Sequence, residues 1–134
     1  MIFDSTKDDW KINTSVFDSK ILNKKQLIFI VEDTEGNKFG GYINEKIDKI
    51  REEPGDEIID SKSFVFSLES NGRLNCMKKF NIKQPQYAFR MFSESYYRLF
   101  SIGLSDIYIS KKGSKHYCFQ SSLFNYEGIE KYII

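Results

Sequence analysis

Residues 26–44 read QLIFIVEDTEGNKFGGYIN, two runs rich in β-branched and aromatic side chains on either side of a polar turn. The first run, 26–32, is continuously apolar and too short for a buried helix, as expected of a central strand covered on both faces. Asp33-Thr34-Glu35-Gly36-Asn37 then places a glycine where a tight connection needs positive φ. The second run, 38–44, returns as the antiparallel partner. Gly40 and Gly41 inside it weaken a strand unless a bulge or a close neighbouring group needs them.

The same pattern continues down the chain. Residues 63–69 (SFVFSLE) alternate, with Phe64, Phe66 and Leu68 on one face, which predicts a core-facing row. On that assignment Phe66→Ala costs roughly 3–5 kcal/mol. Ser70-Asn71-Gly72-Arg73 is an Asn-Gly hairpin turn, 74–82 the return strand, and Gln84-Pro85-Gln86 its end. Further strands are expected at 87–92, 97–102 and Ile107–Ser110. Lys111-Lys112-Gly113-Ser114 turns the chain into a last strand at 116–120.

One helix is expected over 13–23, capped by Asn13, Thr14 or Ser15 and underlain by Trp10. The stretch 45–61, highly charged and carrying Pro54-Gly55, reads as a solvated, mobile excursion. Alanine, the best helix former, occurs once, at Ala88. The predicted fold is therefore mainly β with flanking helices (α+β), a two-sheet antiparallel β-sandwich.

The length, 134 residues, suits a single domain over 1–134. Twelve Phe and a charged fraction of 29% argue against disorder. No apolar run approaches the roughly 18 residues of a membrane-spanning helix, and the opening MIFDSTKDDW carries acid where a signal peptide carries base. An intracellular protein, cytoplasmic or nuclear, without membrane insertion, is expected. The net charge of +1 conceals an asymmetry. Residues 1–60 hold 9 basic and 14 acidic side chains, giving −5, and residues 61–134 hold 11 and 5, giving +6. Interleaving of strands between two sheets is expected to mix these halves in space.

Few residues invite chemistry. His116 is the sole histidine and shares a strand face with Cys118, so a thiol–imidazole dyad is possible, but no nucleophile elbow accompanies it. Asp8-Asp9 and Glu52-Glu53 lack calcium-loop spacing, and Asp33–Gly36 suits a turn better than a metal loop. No phosphate-binding glycine motif occurs. No cofactor, no metal and no enzymatic activity are expected. Cys76 and Cys118, with lysines nearby, are candidate redox thiols, structural by default. Lys111, Lys112 and Lys115, beside His116 and Tyr117, are candidate contacts for nucleic acid or an acidic partner. Such lysine-rich turns also serve simply as solubilising edges.

The ordered motifs as a set resemble the TLDc domain of oxidation-resistance proteins, in a divergent, amoebal-type form. Ile2-Phe3-Asp4-Ser5 with Asp9-Trp10 is similar to the family's opening. Residues 27–31, then Asp33, Gly36, Asn37 and Phe39-Gly40-Gly41-Tyr42, resemble its central hairpin. Phe64-Val65-Phe66-Ser67-Leu68 resembles its F-x-F-S-L strand. Gly103 with Asp106-Ile107-Tyr108-Ile109, and Cys118-Phe119-Gln120-Ser121, are similar to its later segments. Residues 129–134 stand where the family has a longer tail and final strand, and the glycine-rich middle of animal members is thin. The resemblance implies a two-sheet sandwich without a catalytic centre. It also implies a role in oxidative-stress response or in regulating a larger assembly such as the vacuolar proton-pumping ATPase, through a protein partner. The alternative function is a nucleic-acid-binding regulator using the basic C-terminal half.

Overall fold

The computed structural model describes residues 1–50, 52, 56–70, 77–103 and 106–115, together with the backbone of 119–120. After a turn at the N-terminus come one short helix, α1 (Phe17–Ile21), and the strands β1 (Leu27–Glu32), β2 (Lys38–Ile43), β3 (Phe64–Glu69) and β4 (Lys78–Asn81). A 3-10 turn at Pro85–Tyr87 leads to β5 (Phe89–Met91), β6 (Arg98–Ile102), β7 (Ile107–Ser110) and β8 (Phe119–Gln120). The strands form two antiparallel sheets, β1-β2-β3-β4 and β5-β6-β7-β8. Each sheet is a run of consecutive strands, so strands do not interleave between the sheets, but β2 of the acidic half pairs with β3 of the basic half within the first.

Among the described residues the expected flanking helices reduce to the five residues of α1. Asn13 and Asn23 both take positive φ, at 70° and 64°, and bracket a stretch that cannot extend as one helix. Ser15 is buried, its hydroxyl accepting the Phe17 N–H at 3.2 Å rather than standing outside as a cap. Beyond the helix, Asn23 N–H donates to the Ile47 carbonyl at 2.7 Å and Ile47 N–H to the Lys24 carbonyl at 2.9 Å. The chain leaves α1 because it is already pairing with a neighbour.

The core is built on phenylalanine. Phe29 of β1 stacks on Phe89 of β5 at 4.9 Å between ring centroids, and lies 5.1 Å from Phe100 of β6. Phe17 of α1 stacks on Phe100 at 5.4 Å. One aromatic cluster thus joins the helix and both sheets. Gly41 sits at the same seam: a Cβ there would lie 2.8 Å from the Ile102 Cδ1 of β6, closer than side-chain packing tolerates. Gly40, on the opposite face of β2, lies in register with Ile30 of β1. Its Cβ would strike the Phe29 carbonyl and lie 3.1 Å from the Phe66 ring. Of the two reasons the sequence left open for this glycine pair, the close neighbour applies at both positions.

Three expectations about the first sheet need correction. Among the described residues β1 is an edge strand, not a central one, and Ile28 and Ile30 are 64% and 63% exposed. A continuous apolar run records that a strand is apolar on both faces, not that both are covered. In β3 the core-facing residues are Val65 and Ser67, while Phe64, Phe66 and Leu68 lie half-buried on the outer face. The bulkier row was assigned inward, but the seam opposite Gly41 is too tight for phenylalanine. The supposed excursion is also largely structural in its described parts. Ile47 and Ile58 are buried in the core, and Ile58 bridges to Phe89. Pro54-Gly55 lies outside the described residues.

Asp60 anchors that crossing. Its Oδ2 accepts the N–H groups of Asn44 at 2.6 Å and Glu45 at 3.2 Å, its Oδ1 accepts that of Lys62 at 2.9 Å, and its own N–H donates to Pro85. A fully buried carboxylate satisfied in this way holds the end of β2, the approach to β3 and the 3-10 turn together.

The corrected facing yields a contrast that denaturant unfolding checks directly. Phe89→Ala removes a fully buried ring and is expected to cost roughly 3–5 kcal/mol. Phe66→Ala, on the outer face, is expected to cost less than half as much. Equal losses would return Phe66 to the core.

Candidate interaction surface

The strand pairing that buries Phe29, Gly41 and Val65 forces their neighbours outward. In register, Ile28 lies opposite Tyr42 and Tyr42 opposite Phe64, while Ile30 lies opposite Gly40 and Gly40 opposite Phe66. The outer face of the first sheet is therefore apolar across β1, β2 and β3. Tyr42 and Phe64 pack with ring centroids 5.1 Å apart, and Phe64 and Phe66 at 6.4 Å. The Lys79 ammonium of β4 sits 4.2 Å above the Phe64 ring, a cation–π contact on the open side. Gly40 makes this arrangement possible, since any side chain there would occupy the site of the Phe66 ring.

Charge edges this surface. Lys38 pairs with Glu69 at 3.0 Å across the β2–β3 ladder. The Glu69 hydrogen bond and charge, aided by Glu32, hold the Lys38 ammonium above its usual range. At the same end the β1–β2 turn is closed by Asp33. Its Oδ1 accepts the N–H groups of Glu35 and Asn37, each at 2.9 Å, and its Oδ2 accepts the Asn37 side-chain amide at 2.7 Å. The acid of this turn is committed to turn geometry rather than to a metal.

The residues singled out in the sequence distribute differently. Lys111 is not a surface contact: it is 3% exposed and its ammonium donates to the Ser93 carbonyl at 2.5 Å. Burial pulls its pKa below the usual lysine range, with Asp18 and Glu94 opposing. Lys112 and Lys115 are exposed, and Lys112 is tied by its N–H to the Trp10 carbonyl at 3.0 Å. Of the other lysines in that half, Lys79 lies on the first sheet, so no basic cluster assembles around Lys111 among the described residues. Cys76, Cys118, His116 and Tyr117 lie outside the described residues. Ile28 and Ile30 were not singled out, because exposure at a strand edge has no sequence signature.

The outer face is set on a frame whose parts match a known family. A family model for the TLDc domain matches residues 1–131. The chain belongs to the TLDc family. No curated protein and no solved structure matches it. Within this TLDc domain, the F-G-G-Y segment is the seam described above. The later Gly103, at φ +69°, is crowded by the Asp106 carboxylate, 2.4 Å from where a Cβ would stand. Ser101 bridges this point to β5, donating to the Gly103 carbonyl at 2.9 Å and accepting from the Arg90 guanidinium at 3.1 Å.

The N-terminal motif folds over α1 through carboxylates. Phe3 meets Phe17 edge-on at 5.1 Å, and Trp10 donates its indole N–H to the Ser5 carbonyl at 3.1 Å. Asp8 accepts from Lys20 at 2.7 Å and from the Asp4 N–H at 2.8 Å, and these bonds hold its carboxyl below the ordinary value of 3.8. Asp4 and Asp9 are lowered likewise by bonds to Thr6 and Lys11. A carboxylate depressed in the folded state stabilises it above the unfolded value, and that contribution disappears as pH falls through the folded one. Trp10 is the sole tryptophan, so its fluorescence reports this segment. The emission is expected to change as pH drops below 3.8, and Asp8→Asn to produce part of that change already at neutral pH. A signal unchanged in Asp8→Asn at neutral pH would show that the segment is held by other means.

Proposed function

We propose that this TLDc domain is a non-enzymatic protein-interaction module. Its role would lie in oxidative-stress response or in regulating a larger assembly such as the vacuolar proton-pumping ATPase. The observation that carries the reading is the outer face of the first sheet. Scattered exposed apolar residues are ordinary on a protein surface. Here Ile28 and Ile30 stand together beside Tyr42, Phe64 and Phe66, with Lys38, Glu69 and Lys79 around them, an apolar centre with a charged rim. Aromatic residues at such a centre are the usual anchors of recognition. In this reading the two sheets form a sandwich whose inner seam is closed by Gly41, leaving the outer face to select the partner.

The nucleic-acid alternative gains nothing from the structure, since Lys111 is buried and Lys112, bridged to Lys11, lies among the acids Asp8 and Asp9.

The test is affinity capture from lysate with the full chain, treated with nuclease, comparing wild type with the Ile28→Ser/Ile30→Ser double variant. Both positions are exposed, so the change is expected to move stability by about 0.5 kcal/mol or less per site. Wild type is expected to retain a protein partner that the double variant loses, and proton-pump subunits among the captured proteins would single out that assembly. Undiminished capture by the variant would remove the face from the reading, and capture abolished by nuclease would replace it with nucleic-acid binding.

A further inference from the structure

The outer edge of β1 poses a question separate from the face beside it. β1 is the terminal strand of its sheet, so its outward backbone groups have no strand partner among the described residues. Edge strands are ordinarily blunted by a bulge, a proline, an inward charge or a very short length. β1 has none of these. It runs for six residues, LIFIVE, and pairs with β2 through six consecutive positions without a register shift. Its single charge, Glu32, is at its end.

The flanks of this edge carry opposite charge. Exposed Lys24 and Lys25 precede it, and exposed Glu32, Asp33 and Glu35 close it. A strand laid alongside in parallel from a second copy would place lysine against lysine and acid against acid. Laid antiparallel, it would place Lys24 and Lys25 of each copy beside the acids of the other. Strand parity also permits this arrangement. With the two-fold axis at Phe29, Ile28 of one copy faces Ile30 of the other on the same side of the combined sheet, and Leu27 faces Val31 on the other side. Such an isologous contact is self-complementary and closed, so it ends at two copies rather than growing into a fibre.

We propose that a second copy of this chain pairs antiparallel with β1, edge to edge, joining the two first sheets into one continuous sheet. The inference does not rest on the functional reading above, which concerns the face and not the edge. A six-residue edge with a pair of isoleucines from each copy buries less than the roughly 1,000 Å² of a stable interface, so the association is weak and concentration-dependent. Attraction between exposed charges at its two ends makes it weaker at high salt.

Sedimentation equilibrium of the full chain from ~10 to ~500 µM tests it, a range chosen for micromolar affinity. The average mass is expected to rise from 15.8 kDa toward twice that value and to fall back as salt is added. Lys24→Glu/Lys25→Glu and Glu32→Lys/Glu35→Lys are each expected to remain monomeric, because each now opposes like charges. An equimolar mixture of the two is expected to recover association, since one copy's new acids then meet the other's new lysines. A wild type that stays at 15.8 kDa throughout would overturn the proposal, whatever else lies along the edge. Wild-type association that survives in both variants, or that their mixture fails to restore, would overturn the antiparallel β1 contact in favour of another surface. Each pair of substitutions checks the other, so loss of fold in one leaves salt dependence and the second variant to decide.

Discussion

The contact on which the rest depends is the stack of Phe29 on Phe89, with Phe100 and Phe17 against it. Each sheet is a local meander that makes its own hydrogen bonds, and nothing in those ladders holds one sheet to the other. What joins them is aromatic surface taken from water, with ring geometry adding about 0.5–1.5 kcal/mol per pair. Phe17 brings α1 to the same point. A helix of five residues has no stability of its own in water, so α1 exists because this cluster needs its phenylalanine and Ile21.

That dependence explains where the chain can least tolerate side chains. The cluster draws β2 against β6 until only hydrogen fits at Gly41, and at Gly40 the neighbouring Phe29 carbonyl of β1 leaves no room for a Cβ. The two glycines are needed for different contacts on opposite faces. Gly41 sets the separation of the sheets. Gly40 leaves room for the Phe66 ring, whose Cζ would stand 3.1 Å from a Cβ there, so the apolar outer face is a consequence of the same packing. Asp60 then ties the crossing between β2 and β3 to the 3-10 turn by hydrogen bonds to backbone, which fixes the path without occupying the seam.

Much of this was legible in the residues. The β1–β2 hairpin, the turn at Asp33–Asn37, the strand at Ile107–Ser110 and the meaning of paired glycines all followed from local chemistry, which acts over a few residues and leaves a mark in each. The TLDc motifs were legible for the same reason. What could not be read was which side of a strand faces inward when both sides are apolar. In β3, Phe64, Phe66 and Leu68 outweigh Val65 and Ser67 in bulk, yet the tight seam beside Gly41 admits only the smaller row. Lys111 was equally illegible, because its burial depends on the Ser93 carbonyl eighteen positions away in sequence. The stretch 45–61 looked solvated by composition, and Ile47 and Ile58 are buried because charged neighbours can point outward while an isoleucine among them points in.

The two faces of β1 show how one strand serves opposed demands. Phe29 must be inside, so Ile28 and Ile30 must be outside; the pleat leaves no other choice. Polar residues at positions 28 and 30 would satisfy the fold equally well, since nothing on the inner seam touches them. Serine or threonine there would keep β structure and remove the exposed apolar area. The fold therefore accounts for the direction in which these isoleucines point but not for their being isoleucine. Under the two proposals above their identity is accounted for by a chain that meets the outer face or the edge, where an apolar strand between lysines and acids offers both the surface and the charge order to hold it.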